Sequence, residues 1–319
     1  MIDENHQELL ATVASMYYEA EKSQNEIADE LGLSRVKVYR LLKEAREEAV
    51  VRVIIDWPIE RDSQLEKEIT QVFYLKKALV LKSDMLEESS ALRRLGKMTA
   101  RYLDLILEDG MTLTVCLGRS TYEVINAVTP TYRAHVNVAQ AMGSIPFAVQ
   151  ELDSPSLARQ LANKLGGKVL YLPSPLIASS PEDSQVIRRQ PLIERTLNAS
   201  RNADISLVGI GGLDPSSSRY VQAEVFTAED MIRLKEEGAV GDLGGQFFTL
   251  DGKLHPCELN QRMIGLSLEE MKHIPNTIAV ALGKKKTTPI LGALRTGVID
   301  VLCTDNTTAR EVLRLNATF

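Results

Sequence analysis

From residue 77 onward the chain alternates between two signatures that few architectures accommodate together. Short apolar runs, many of them β-branched, recur at 78–81, 111–118, 135–141, 168–172, 204–212, 277–284 and 298–305. Each is closed by Gly, Pro or a polar residue. Segments of helical periodicity lie between them, at 89–107, 120–128, 288–296 and 307–315. A short strand that is apolar along its whole length, rather than at every second residue, must be covered on both faces. The pattern therefore predicts an α/β body, a mostly parallel sheet of the Rossmann-like kind with helices on either side. No internal repeat or low-complexity segment interrupts it.

With 319 residues and 44% hydrophobic content, the chain has material for a sizeable core and the length of two or three domains. No apolar run reaches the roughly 18 residues of a membrane span. The acidic start, MIDENHQE, lacks the positive segment of a signal peptide. These features point to a cytoplasmic chain with no membrane partner. Cys116, Cys257 and Cys303 are scattered and form no CxxC, so neither a disulfide frame nor a zinc site is indicated. His255-Pro256-Cys257 is the only close His/Cys pairing and reads as a loop. No metal or cofactor is expected.

The head of the chain carries a second pattern. Residues 24–43, QNEIADELGLSRVKVYRLLK, place Ala28, Gly32 and Val38 at relative offsets of four and ten. A small Ala lets two helices approach, a Gly takes the turn, and a branched Val closes the contact between them. Ile27, Leu31, Leu33, Leu41 and Leu42 supply the apolar stripes. Ser34 suits the N-cap of the second helix, which displays Arg35, Lys37, Tyr39, Arg40, Lys43 and Arg46. An ordinary helical hairpin with a solvated basic face has the same outline. The small-turn-branched spacing together with the cations favours a helix-turn-helix that reads double-stranded DNA. Gln24, Ser34, Arg35, Lys37, Tyr39, Arg40 and Lys43 are its candidate contacts.

Net charge, −6, is at odds with that role until it is divided. Residues 1–60 hold 13 acids against 7 cations, yet residues 35–46 hold five cations and a single acid, Glu44. Positive charge is thus concentrated on the reading helix. The acidic background limits non-specific affinity and makes binding depend on several copies acting together. Residues 5–21 form a further apolar-periodic helix that supports the pair. The β-prone run at 49–56 fits a wing or a strand, and Trp57-Pro58 ends it. This sets the expected boundary: 1–57 for DNA binding, 58–319 for effector binding and oligomerisation. Residues 62–75 read as an amphipathic helix, either core or self-association surface.

In open α/β sheets, ligands bind beyond the carboxyl ends of strands. Four strand-end loops carry suitable chemistry. LGRST at 117–121 runs from a strand through Gly118 into Arg119, Ser120 and Thr121, which suits a phosphate or carboxylate, or merely a self-capped helix. GIGG at 209–212 is a fragment of a dinucleotide fingerprint and is better taken as a tight turn. VGDLGGQFFTLDG at 240–252 sets Asp242 among glycines, where it can accept hydrogen bonds from sugar hydroxyls or organise the turn. GKKKTTPILGAL at 283–294 offers Lys284, Lys285 and Lys286, of which one pointing inward is a phosphate partner.

In order and spacing, these pieces resemble the SorC family of bacterial sugar-binding transcriptional regulators. The likeness covers nearly the whole chain and rests on QNEIADELGLSRVKVYRLLKEAREEAVVRV, LGRST, GIGG, GDLGGQFFTLDG and KTTPILGALRTGVIDVLCTDNTTAREVL. The resemblance implies a homotetramer that binds an operator, with a sugar or sugar phosphate in the C-terminal domain shifting DNA affinity. It also implies a body similar in fold to sugar-phosphate isomerases and deaminases, without their catalysis. By motif position, Gly118, Arg119, Ser120 and Thr121 would hold a phosphate. Asp242 would bind hydroxyls, Lys286 would approach the phosphate or a ring oxygen, and Gln140 and Arg219 would complete the set. Where relatives carry a cation before a Gly-Gly pair, this chain reads QAMGS, with Met142 and Ser144 in their place. That departure disfavours a Schiff-base lysine there and a bisphosphate, and favours a monophosphorylated or neutral sugar or polyol. Gln246 also departs from the family's pattern.

The expected function is control of a carbohydrate catabolic operon through an effector-dependent repressor or activator. The rival class is a sugar-phosphate isomerase or deaminase with a DNA-binding head. It would need a positioned base, for which Asp242 and Glu224 are the candidates. Fold likeness alone supplies no such base.

Overall fold

The computed structural model describes residues 4–48, 50–51, 58–116, 118–129, 134–145 and 154–318. They form two compact units, Met1–Pro58 and Ile59–Phe319.

The first unit is a bundle of α1 (Glu4–Tyr18), α2 (Gln24–Leu31) and α3 (Arg35–Glu47). Ser23 and Glu26 open α2 with a reciprocal capping box. Gly32 ends it at φ 65°, a left-handed conformation that disfavours a side chain even though the space around it is open. The hydroxyl of Ser34 accepts a hydrogen bond from the Lys37 N–H at 3.2 Å and so starts α3. Leu10, Val13, Ile27, Ala28, Val38, Leu41 and Ala45 are buried between the three helices. Ala28 and Val38 thus share one buried cluster, as their spacing requires. Two polar ties span α1 and α3: His6 with Glu44 at 2.6 Å, and Arg46 donating to the Tyr18 hydroxyl at 2.6 and 2.9 Å. Of the β-prone run at 49–56, all but Val50 and Val51 lies outside the described residues.

The second unit is built on strands β1 (Lys77–Leu81), β2 (Thr112–Val115), β3 (Asn137–Gln140), β4 (Val169–Leu170), β5 (Ile205–Gly212), β6 (Ala239–Leu243), β7 (Gln246–Thr249), β8 (Asn276–Val280) and β9 (Val301–Asp305). Seven run parallel in the order β1-β9-β8-β5-β2-β3-β4, with β6 and β7 as an antiparallel hairpin on the end of β5. Helices cover both faces. On one, Leu79, Leu113, Leu207, Ile278 and Val280 pack with Leu95, Leu103 and Ile125 from α5 (Glu88–Ile106) and α6 (Arg119–Ala127). On the other, Val80, Val208, Ala279 and Leu302 pack with Ile69 of α4 (Ser63–Val72) and with Leu291 and Val312. Each such Val, Leu or Ile side chain stabilises the fold by about 1.5–3 kcal/mol relative to exposure. Helix α4 is thus core through Leu65 and Ile69. Among the described residues, no helix is long and apolar enough to cross a membrane.

Two expectations change. The run at 168–172 is a strand only over Val169–Leu170, at the sheet edge. GIGG is not a turn: β5 continues through Gly212, exchanging parallel neighbours for the antiparallel β6, with Gly211 opposite Asp242. Its glycines provide room rather than a special dihedral, since a Cβ on Gly211 would collide with Oδ1 of Asp242.

Candidate effector cleft and recognition helix

The sheet order has a reversal at β2. The chain steps outward from β2 to β3 and β4, then returns to lay β5 on the other side of β2. Such a switch point leaves a crevice at the carboxyl ends of the two strands. A cleft of about 540 Å³ opens there, lined by the segments after β2, β5 and β8.

Helix α6 begins in the crevice. Gly118, its N-cap, has no side chain to cap the helix, and the Thr121 hydroxyl donates to carbonyls rather than accepting from the first N–H groups. The start of α6, with the positive end of the helix dipole, lies at the cleft wall. Leu117 of the LGRST motif lies outside the described residues. Gly118, Arg119 and Ser120 line the cleft, whereas Thr121 does not. Thr121 is fully buried, its hydroxyl donating to the carbonyls of Cys116 (3.0 Å) and Gly118 (2.8 Å). Gln140 is likewise fully buried, and its Oε1 accepts from the Leu172 N–H at 2.8 Å. Both are corrections: neither residue lines the cleft, and the Thr121 hydroxyl and Gln140 Oε1 bond backbone instead.

The lysine run separates cleanly. Lys284 is exposed, Lys285 pairs with Asp214 at 2.8 Å, and Lys286 turns inward to donate to the Ile210 carbonyl at 2.9 Å. Burial lowers the pKa of Lys286, against the attraction of Asp242. Arg219 joins from the short helix Arg219–Gln222, and burial first, then the charge of Arg119, lowers its pKa. Arg119, Arg219, Lys285 and Lys286 line the cleft with two acids, Glu88 and Asp242, and even with Lys285 paired to Asp214 the wall favours an anion.

Asp242 sits beneath, 4% exposed. One oxygen, Oδ2, accepts the Tyr220 hydroxyl at 2.6 Å and the Gly245 N–H at 3.0 Å. The other, Oδ1, is buried without a partner. Burial raises the pKa of Asp242, against the hydrogen bonds from Tyr220 and Gly245, and burial raises that of Tyr220 well above its ordinary value. The Gly245 contact belongs to a two-residue hairpin in which Gly244 and Gly245 take φ of 56° and 86°. Asp242 thus organises the turn with one oxygen while still lining the cleft. Met142 and Ile145 form an apolar wall of the cleft. Glu224 is exposed and does not line the cleft. Sequence reasoning missed Glu88, Tyr220 and Ser216–Ser218; the serine run ahead of Arg219 was the available signal.

In the first unit, Ser34, Arg35, Lys37, Tyr39, Arg40 and Lys43 are all exposed on α3, and Gln24 is half-buried at the start of α2. Among the described residues, the side chains of Arg35, Lys37, Tyr39 and Arg40 make no hydrogen bond or ion pair, while Lys43 pairs loosely with Glu47 at 3.4 Å. Arg46 is engaged by Tyr18. Val36, also missed, is 60% exposed between the two leading cations.

Residues 57–314 match the Sugar-bind family model, that of a sugar-binding domain. The transcriptional regulator LsrR of Klebsiella pneumoniae is 32% identical over 315 residues, covering 97% of this chain and 94% of that one. A solved sugar-binding domain of a transcriptional repressor from Vibrio fischeri superposes with a TM-score of 0.73 at 31% identity, over 80% of this chain and all of that one. The full-length sorbitol operon regulator SorC from Klebsiella pneumoniae covers 97% of this chain at a TM-score of 0.72 and 24% identity, which shows a shared fold.

Proposed function

Because the chain belongs to the Sugar-bind family of sugar-binding transcriptional regulators, of the SorC type, we propose that its two units divide sensing from DNA reading. The protein is a DNA-binding regulator rather than an enzyme, and a sugar-type effector controls its affinity for an operator. The finer assignment is that residues 1–57 bind DNA and 58–319 bind effector and oligomerise. A tetramer in the cytoplasm acts on a palindromic operator of a carbohydrate catabolic operon. The carrying observation is the cleft at the β2/β5 switch point, lined by the start of a helix, by Arg119, Arg219, Lys285 and Lys286, and by the buried carboxylate of Asp242. That arrangement fits a molecule with one anionic group and several hydroxyls: a monophosphorylated sugar or polyol.

Gly118, Arg119, Ser120, Arg219 and Lys286 would hold the phosphate, and Asp242 a hydroxyl. An effector shifts DNA affinity only if it binds two arrangements of the protein unequally. The decisive experiment is a thermal-shift screen against sugars, polyols and their phosphates, followed by operator binding with and without the hit. A large shift with one phosphosugar, lost in Ser120→Ala, supports the assignment. A shift with a free sugar alone removes the phosphate loop and keeps the regulator.

A further inference from the structure

The carboxylate of Asp242 has no oxygen open to a ligand. Oδ2 carries two donors, the Tyr220 hydroxyl at 2.6 Å and the Gly245 N–H at 3.0 Å. Oδ1 is buried over Gly211, whose lack of a Cβ gives it room. Yet Asp242 and Tyr220 both line the cleft. A ligand hydroxyl that is to meet this acid must therefore take the place of a donor already there. The Gly245 N–H is fixed by the hairpin turn, whereas Tyr220 stands on a four-residue helix, Arg219–Gln222, that follows the serine loop. Its ring is held by edge-on packing against Phe226, at 5.3 Å between centroids, and Phe247, at 6.3 Å. A phenol and a sugar hydroxyl are the same kind of partner: neutral O–H donors that reach a carboxylate at about 2.5–2.7 Å.

We propose that Tyr220 is a resident stand-in for an effector hydroxyl, and that an effector occupies Asp242 by displacing it. This rests on the reading of the cleft as a sugar-effector site and adds its switching element. The Tyr220–Asp242 bond exists only in the empty arrangement, and the effector–Asp242 bond only in the filled one, which gives the unequal binding that a ligand-driven shift requires. Release of Tyr220 also shifts its neighbour Arg219, so a hydroxyl arriving at the acid is felt at the cationic wall. Tyr220 is in this sense a positioning residue, acting through Asp242.

Full-length wild type, Tyr220→Phe and Asp242→Ala would be titrated calorimetrically with ribose 5-phosphate, glucose 6-phosphate, sorbitol 6-phosphate and sorbitol. Phe keeps the aromatic contacts and removes only the competing donor; if it does not fold, Tyr220→Met serves. The expected result is a Kd about tenfold lower in Tyr220→Phe for whichever probe binds wild type, and loss of binding in Asp242→Ala. Unchanged or weaker binding by Tyr220→Phe, with Asp242→Ala defective, overturns the displacement and leaves the cleft assignment standing. Wild-type binding by Asp242→Ala overturns both, as does failure of every probe to bind any of the three proteins.

Discussion

Ser120 and Thr121 are adjacent hydroxyls with opposite duties. Ser120 lines the cleft at the start of α6, whereas Thr121 is sealed beneath it with its hydroxyl on two carbonyls. Ser120→Ala should weaken a phosphorylated probe by tenfold or more, and the unphosphorylated parent far less, since charge-assisted contacts to phosphate are the strong ones. Thr121→Ala should instead cost about 1 kcal/mol of stability with little change in affinity. Denaturant titration beside calorimetry separates the two, and equal effects on both probes in Ser120→Ala would remove the phosphate from this loop. The motif LGRST was visible in the chain, but the direction of each hydroxyl was not. A similar limit applies to Gln140, whose carboxamide is directed to a neighbouring backbone because β3 lies against the segment after β4. Asp242 was legible because a carboxylate among glycines is conspicuous. Tyr220 was not, because its bond to Asp242 spans 22 residues and depends on Gly211 lying opposite.

At the scale of the element, α3 has a well-marked start and a basic face with two separable roles. Ser34→Ala removes the cap and should destabilise the first unit by about 1 kcal/mol, read as a lower melting temperature of its transition. Arg40→Ala touches no partner among the described residues, so folding and effector response should stay intact while specific operator binding is lost. Retained operator affinity in a gel-shift titration would detach α3 from DNA reading. Local periodicity located most strands to within a few residues, because burial on both faces leaves an unbroken apolar run, but it did not mark the helices Ser154–Leu165, Pro181–Arg188, Pro191–Arg201 and Ala228–Glu236. It misjudged GIGG, whose glycines look like turn residues and are strand residues making room for a carboxylate. Side-chain size across a sheet pair is a tertiary property, and no local window carries it.

For the whole molecule, net charge of −6 and a single helix of concentrated cations set how it can hold DNA. One head presents Arg35, Lys37, Arg40 and Lys43, all exposed on α3. If three or four of them neutralise phosphates, the slope of log K against log salt is about −3 to −4 for one head and about −5 to −7 for two. The rest of the chain offers DNA no compensating excess of positive charge, since its 30 cations and 30 acids balance beyond residue 60. On the proposed reading, specific affinity comes from heads acting in pairs on a two-fold operator, brought together by the proposed tetramer. Operator binding measured across a salt series, on material whose mass is fixed by sedimentation, should give the steeper slope and a mass of four chains. A slope near −3 on a monomer would mean that one head suffices, and the proposed tetramer would have no part in recognition.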